Sequence, residues 1–336
     1  MILVTGASGA FGAHYAKRAL DAGVEVVSIR HDDAPFDTSS LIGIRDKITW
    51  AKGDICDGAF VKRVVADYGV ESIIHFAALP LVQVATRTTV PIFQTNFLGT
   101  VNLLEAVKEN AWAGKIVRFV FVSTDKVYGD AGPRAYTEDM PLNGLAIYDS
   151  SKAAADLVCR TYARAGLVPA LAVVRPCNII APGDMNLGRV LPRTIVPAMR
   201  SERPILYKTL YRREFMAVQD ACQAIEMLDL YLRDKPDTAH GQAFNIGSGE
   251  QRTLEEAVDE VLQFFPDVRP KWIEAPAISR IEIPFQLLDT TKMHQLTNWK
   301  AKKDFGLIVS ELVQWWKSNW ERIPESVRSW RATGWH

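Results

Sequence analysis

The run Met1-Ile2-Leu3-Val4-Thr5 passes without a spacer into Gly6-Ala7-Ser8-Gly9-Ala10-Phe11-Gly12 and then into a helical pattern over residues 13–22. Glycines at 6, 9 and 12 let the backbone turn sharply and approach a pyrophosphate, whose charge a helix N-terminus then stabilises. The same rhythm continues along the chain. Strand-like runs at Val24–Ile29, Ser72–Phe76, Phe119–Ser123 and Leu171–Arg175 alternate with helical patterns at 59–68, 93–109 and 148–165. This predicts an α/β fold, a Rossmann-type doubly wound parallel sheet with helices on both faces.

After residue 178 the rhythm breaks, and Pro182, Pro192, Pro197 and Pro204 punctuate short segments. A smaller substrate-covering region is expected to start there. Helix 218–232 and strand Ala243–Ile246 would return to the sheet, so this second region is discontinuous. The expected division is residues 1–177, with returning segments at about 215–247, for the dinucleotide, and 178–214 with 248–336 mainly for the substrate. A last helix near 308–321 carries Trp315, Trp316 and Trp320, expected in core packing or a subunit contact.

With 39 basic and 39 acidic side chains the formal charge is zero, so no global excess favours nucleic acid or an anionic membrane. No apolar run approaches a membrane-spanning length, and a cytoplasmic location is expected. The cysteines, Cys56, Cys159, Cys177 and Cys222, lack CxxC spacing and the histidines do not cluster, which argues against a redox pair or a metal site.

The cofactor site expected from the first strand comprises Gly6, Ser8, Gly9, Ala10, Phe11 and Gly12. The second strand ends in Arg30, where a carboxylate would accept from a ribose 2′-hydroxyl. An arginine there offers a cation to a 2′-phosphate and points to NADP, with NAD as the alternative if Asp32 or Asp33 binds the ribose instead. Asp54 and Ile55 would flank the adenine. Ala77 and Ala78 follow a strand where the backbone must pass close to the cofactor, and His75 before them reads as a core histidine.

Tyr148 and Lys152 stand four positions apart on a helical pattern, on one face. Lowering a tyrosine pKa from about 10 to near 7 takes roughly 4 kcal/mol, which an ammonium and a nicotinamide cation could supply together. That makes a base for oxidising an alcohol. Thr124-Asp125-Lys126, ending 22 residues before Tyr148, adds an acid and an amine that simple alcohol oxidation does not need.

Taken with Asn96, Gly99-Thr100, Arg175-Pro176, Asn178, Arg213 with Asp220, and Asn245-Ile246-Gly247, these motifs resemble the extended short-chain dehydrogenase/reductases. Within that family, Ala77-Ala78-Leu79-Pro80-Leu81-Val82, Ser123-Thr124-Asp125-Lys126 and Leu288-Asp289 with Lys292 and Trp299 look most like nucleotide-sugar 4,6-dehydratases of the CDP-glucose type. The resemblance implies that Tyr148 removes the sugar 4-hydroxyl proton, Lys152 holds the phenolate and the nicotinamide ribose, and Thr124 hydrogen-bonds the 4-oxygen. Lys126 is then the base at C5 and Asp125 the acid at the 6-oxygen. Asn96 would support the active-site backbone, while Asn178, Arg189 and Arg213 would take the diphosphate. The resemblance also implies a homodimer through helices 93–109 and 148–165, on faces carrying Leu103, Val107, Leu157, Val158 and Tyr162. A nucleotide-sugar 4-epimerase or an NADPH-dependent reductase of the same fold is the alternative, and a non-catalytic cofactor-sensing protein a second one.

Overall fold

The computed structural model describes all residues of the chain except 33, 35, 80–88, 275–281 and 332–336. Asp33 and Pro80-Leu81-Val82 lie outside the described residues. Among the described residues twelve strands occur in the order β1 Ile2–Thr5, β2 Val26–Arg30, β3 Thr49–Lys52, β4 Ser72–His75, β5 Arg118–Val122, β6 Leu171–Pro176, β7 Asn178–Ile180, β8 Ile205–Lys208, β9 Arg212–Ala217, β10 Gln242–Ile246, β11 Gln251–Thr253 and β12 Lys271–Glu274. Seven of them form one sheet in the order β10-β6-β5-β4-β1-β2-β3, and every pairing in it is parallel. The strand order reverses between β1 and β4, which opens a crevice at their carboxyl ends.

Parallel strands covered on both faces must be apolar on both faces, and these are. Val4, Ile74, Val120 and Val174 enter one core, while their neighbours Leu3, Ile73, Phe119 and Val173 enter the core behind the sheet. The front core is closed by helices Ala10–Asp21 and Val218–Asp234, the rear one by Gly58–Asp67, Gly99–Trp112 and Ile147–Arg164. The returning strand β10 pairs with β6 from Gln242↔Ala172 to Ile246↔Pro176, as the sequence pattern leads one to expect.

Beyond residue 178 the chain is more regular than its prolines suggest. A helix runs over Val190–Met199 with Pro192 in its first turn and Pro197 near its end. A proline in the first turn removes an N–H that would have no helical partner, and one in the last turn disturbs little helix after it. This helix, Leu254–Leu262 and Phe305–Asn319 enclose a third core around Phe215, Val261, Val309 and Trp316. A three-stranded sheet β11-β9-β7 and a parallel pair β12-β8 complete the region.

Leu103 and Val107 correct the expected subunit face. Both are fully buried in the chain's own rear core, because helix Gly99–Trp112 turns that side towards the sheet. Exposed apolar groups on or beside the two helices include Phe93, Leu98, Trp112, Ile116, Leu145 and Leu157. Trp316 is a core residue. Among the described residues no helix is long and apolar enough to cross a membrane, and no cluster of His, Cys, Asp and Glu could hold a metal ion.

Candidate active site

β1 leads into the glycine turn, where Gly6 adopts φ +73° and its carbonyl accepts from Gly9 N at 3.0 Å. A Cβ on Gly6 would stand 2.8 Å from Ala77 N, and one on Gly12 would stand 2.4 Å from Gly6 O. The loop is therefore pressed between the end of β4 and its own helix, with no room for a side chain at Gly6 or Gly12. Helix Ala10–Asp21 starts from Gly9 with no side-chain cap, leaving the first-turn N–H groups around Ala10 and Phe11 to face an anion. Ser8 lies on the exposed side of this turn. The cradle suits a dinucleotide pyrophosphate.

Arg30 ends β2 and is buried. It donates to the carbonyls of Asp32 and Ala34, the latter at 2.6 Å, lies 3.6 Å from the Asp37 carboxylate and stacks over Trp50 at 5.3 Å. Its guanidinium thus braces the loop after β2. Asp54 follows β3 with a half-exposed carboxylate that accepts from Cys56 N at 2.9 Å, and the Ile55 side chain is buried.

At the end of β4, Thr5 and Thr100 clamp His75 from either side, at 2.7 and 3.0 Å. Thr100 donates its own proton to Asn96 O, so it accepts from His75 Nε2. Burial pushes the pKa of His75 well down, and the neutral ring is a structural tie, as the sequence suggests. Ala77 N donates to Thr5 Oγ1 at 3.1 Å, and Ala78 follows it, partly buried. Asn96 sits in a single π-helical turn, Gln94–Leu98, that opens the helix to admit its side chain. Its Oδ1 accepts from Leu79 N at 2.7 Å and its Nδ2 donates to Ser151 Oγ at 2.9 Å. Ser151 in turn donates to Tyr148 O at 2.7 Å. Asn96 therefore ties the backbone after β4 to the helix bearing Tyr148.

Tyr148 and Lys152 lie on the first turns of helix Ile147–Arg164. Lys152 Nζ donates to Val122 O at 2.7 Å and stacks on Phe121 at 4.1 Å, and burial lowers its pKa to about 7. Tyr148 is raised above its ordinary value by burial, with Asp149 and Asp125 adding to the rise and Arg189 opposing it. In the protein alone the Lys152 ammonium is directed to the end of β5, and among the described residues no hydrogen bond joins it to the Tyr148 hydroxyl.

β5 delivers Thr124, Asp125 and Lys126 to the same crevice, where Thr124 caps a short 3-10 turn, Asp125–Tyr128, by accepting from Lys126 N at 3.3 Å. Asp125 is buried. Thr124 Oγ1 donates to its Oδ1 at 3.1 Å and Gln286 Nε2 to its Oδ2 at 2.9 Å. Among the described residues no direct ion pair joins Asp125 to Lys126. Burial raises the acid, and the charges of Lys126 and Arg213 only partly offset it.

Arg213, on β9, reaches the Asp125 side of the site and pairs with Glu282 at 3.0 Å while stacking on Tyr211. Asn178, on β7, donates to Glu214 O at 3.1 Å. Arg189 pairs with Asp184 at 2.6 Å, half-exposed, within electrostatic reach of Tyr148.

Four polar residues to which the motifs assign no role belong to this cluster. Asp149 is buried beside Tyr148, with one carboxylate oxygen unpartnered and its pKa raised to about 6 by burial; Lys126 opposes that rise, and Asp125 and Glu282 add to it. Glu214 is fully buried, accepts from Gly249 N and Leu288 N at 2.7 and 2.9 Å, and is pushed up to about 7 by burial. Gln286 and Glu282 come from a late segment. A charged residue inside the Tyr148–Lys152 spacing and a glutamate within an apolar strand were the signals available for the first two. The late pair had none, because their proximity is purely tertiary.

The fold and this arrangement agree with comparisons to known proteins. A family model described as GDP-mannose 4,6 dehydratase matches residues 3–312. A dTDP-glucose 4,6-dehydratase of Xanthomonas campestris pv. campestris is 28% identical, with 94% of this chain and 93% of that protein covered. The low-salt glycan biosynthesis protein Agl12 of Haloferax volcanii is 32% identical over 78% of this chain and 81% of its own. The crystal structure of a Bacillus anthracis dTDP-glucose 4,6-dehydratase in complex with NAD superposes with a TM-score of 0.81 at 27% identity, covering 95% of this chain and 97% of that one. The glycine cradle, the Tyr148–Lys152 helix and the match across almost the whole chain lead to one assignment: the protein belongs to the GDP-mannose 4,6-dehydratase family, the nicotinamide-dependent nucleotide-sugar 4,6-dehydratases of the extended short-chain dehydrogenase/reductase fold.

Proposed function

We propose that the chain converts a nucleoside diphosphate glucose into its 4-keto-6-deoxy product, with Tyr148, Thr124, Asp125, Lys126 and Lys152 as the working groups. The observation that carries this reading is the buried Asp125, raised by desolvation and free of a direct ion pair with Lys126, at the strand end that also faces Tyr148. A solvated surface ion pair would have no use here; a desolvated acid beside an amine fits elimination of water.

The nicotinamide, when bound, supplies a reversible hydride acceptor. Tyr148 takes the 4-hydroxyl proton and Thr124 hydrogen-bonds the 4-oxygen. The resulting C4 ketone acidifies C5–H, Lys126 removes that proton, and Asp125 protonates the departing 6-oxygen. Lys152, whose burial lowers its pKa to about 7, holds the nicotinamide ribose and adds positive charge near the phenol when protonated. Gly6, Ser8, Gly9, Ala10, Phe11 and Gly12 carry the pyrophosphate, Asp54 and Ile55 the adenine, and Ala77, Ala78 and Asn96 the nicotinamide side.

For the cofactor we favour NAD over the NADP that Arg30 suggests in sequence. The Arg30 guanidinium braces the loop carbonyls and Asp37, and the Bacillus anthracis relative was crystallised with NAD. Arg213, Arg189 and Asn178 would receive the diphosphate, with Arg213 exchanging Glu282 for a phosphate. Residues 1–177 with 215–247 form the dinucleotide-binding part in this reading, and the remainder covers the substrate. A homodimer would use the exposed Phe93, Leu98 and Leu157.

Incubation with dTDP-, CDP-, GDP- and UDP-glucose, with NAD or NADP added, tests the reading by mass spectrometry. Loss of one water from one substrate is expected. A 4-epimer of unchanged mass would overturn it.

A further inference from the structure

Gln286 is fully buried and its backbone is pinned between strands, donating to Arg212 O at 3.3 Å and accepting from Gln251 Nε2 at 2.8 Å. Its side chain ends on Asp125, 161 residues away in sequence, with Nε2 2.9 Å from Oδ2. The other end of the amide, Oε1, is buried with no hydrogen-bond partner. Because only one end is anchored, a half-turn of the amide exchanges nitrogen for oxygen opposite Asp125 without breaking any other hydrogen bond.

An ionised Asp125 wants two donors, and Thr124 and Gln286 Nε2 provide them. A protonated Asp125 wants an acceptor for its O–H, and Gln286 Oε1 is the unused acceptor at hand. We propose that Gln286 is a positioning residue for the dehydration: its carboxamide accepts from Asp125 while the acid carries its proton, and donates to the carboxylate once that proton has left. The inference rests on the reading of Asp125 as the acid. In that step the Asp125 O–H bond breaks and its electron pair stays on the carboxylate. The proton joins the 6-oxygen, the C6–O bond breaks and water departs, while Lys126 holds the C5 proton.

The surroundings require such a partner. Lys126 and Arg213 bring positive charge towards Asp125, whereas the carboxyls of Asp149 and Glu214 share its field with opposite effect. Tyr136, Tyr148 and Cys177, which also feel Asp125, are all raised above their ordinary values and so are neutral near pH 7. Burial shifts Asp125 upward, in the direction that favours its protonated form.

Two variants test the proposal: Gln286→Met, of similar length without hydrogen-bonding groups, and Gln286→Glu, which regains a donor only when protonated. Asp125 is titrated in the free protein by infrared difference spectroscopy, its carboxyl band being identified by its loss in Asp125→Asn. Turnover is followed with whichever of the four nucleoside diphosphate glucoses is dehydrated. We expect Gln286→Met to raise the Asp125 titration and to slow water loss by about 10- to 100-fold, the equivalent of one hydrogen bond to a charged group. KM and the transient of reduced cofactor from C4 oxidation should persist. Gln286→Glu should recover as pH falls. An Asp125 titration unmoved in both variants would overturn the proposal, as would equal loss of the oxidation transient and of water elimination. A shifted titration with Asp125→Asn still fully active would be a different failure, removing Asp125 as the acid.

Discussion

Lys152 and Glu214 show how burial sets the charge of single residues here. Lys152 gives its proton-bearing nitrogen to Val122 O, and in the protein alone burial keeps the phenol of Tyr148 above its ordinary pKa. Bound cofactor and substrate must supply the rest of the stabilisation. Tyr148→Phe is therefore expected to cut dehydration by about 10²–10⁴-fold, the range for loss of a general base, with the transient of reduced cofactor lost in stopped flow. Glu214 makes a prediction about stability. Its folded pKa is about 7 against an ordinary 4.5, so between those values the folded chain holds a proton that the unfolded chain has released. Stability from this group is greatest below pH 4.5 and falls as pH rises towards 7, by about 3 kcal/mol at 1.36 kcal/mol per unit. Urea unfolding across that window should show the slope in the native chain and a shallower one in Glu214→Gln. That variant also starts less stable, because an amide cannot accept from both Gly249 N and Leu288 N.

The glycine turn was legible as an element because each of its requirements is local: a strand before it, a helix after it and no Cβ where backbones meet. Gly12→Ala would force a Cβ to 2.4 Å from Gly6 O. Calorimetric titration with NAD should show binding weakened by about 1–3 kcal/mol, the cost of overpacking, and undisturbed affinity would refute the cradle described above. The helix Val190–Met199 was hidden for the opposite reason. Its two prolines are strong local breakers, and it forms because Leu191, Ile195 and Val196 bury against the Trp316 helix and Ala257. Tertiary burial outweighs local preference there. Leu103 and Val107 make the same point in reverse: periodicity identifies an apolar helix face, but not whether the sheet or a second subunit covers it.

Across the described residues, two cores flank the main sheet and a third lies beneath the tryptophan helix, with a smaller cluster around Leu206 and Val268 beside it. Trp316 anchors the third and is fully buried, so Trp316→Ala should cost about 3–5 kcal/mol in chemical denaturation. Sedimentation is expected to show a dimer, and Leu157→Glu, at an exposed position on helix Ile147–Arg164, to yield a monomer with its fold intact. The sequence by itself determined the sheet class, the cofactor turn, the Tyr148–Lys152 spacing and the Thr124-Asp125-Lys126 trio, since all of these are patterns within a few residues of one another. Only the tertiary structure decided that Arg30 braces a loop, that Lys152 turns to Val122, and that Gln286, Glu214 and Asp149 surround the acid. Those outcomes depend on desolvation and on contacts between distant segments, neither of which any short stretch of sequence contains.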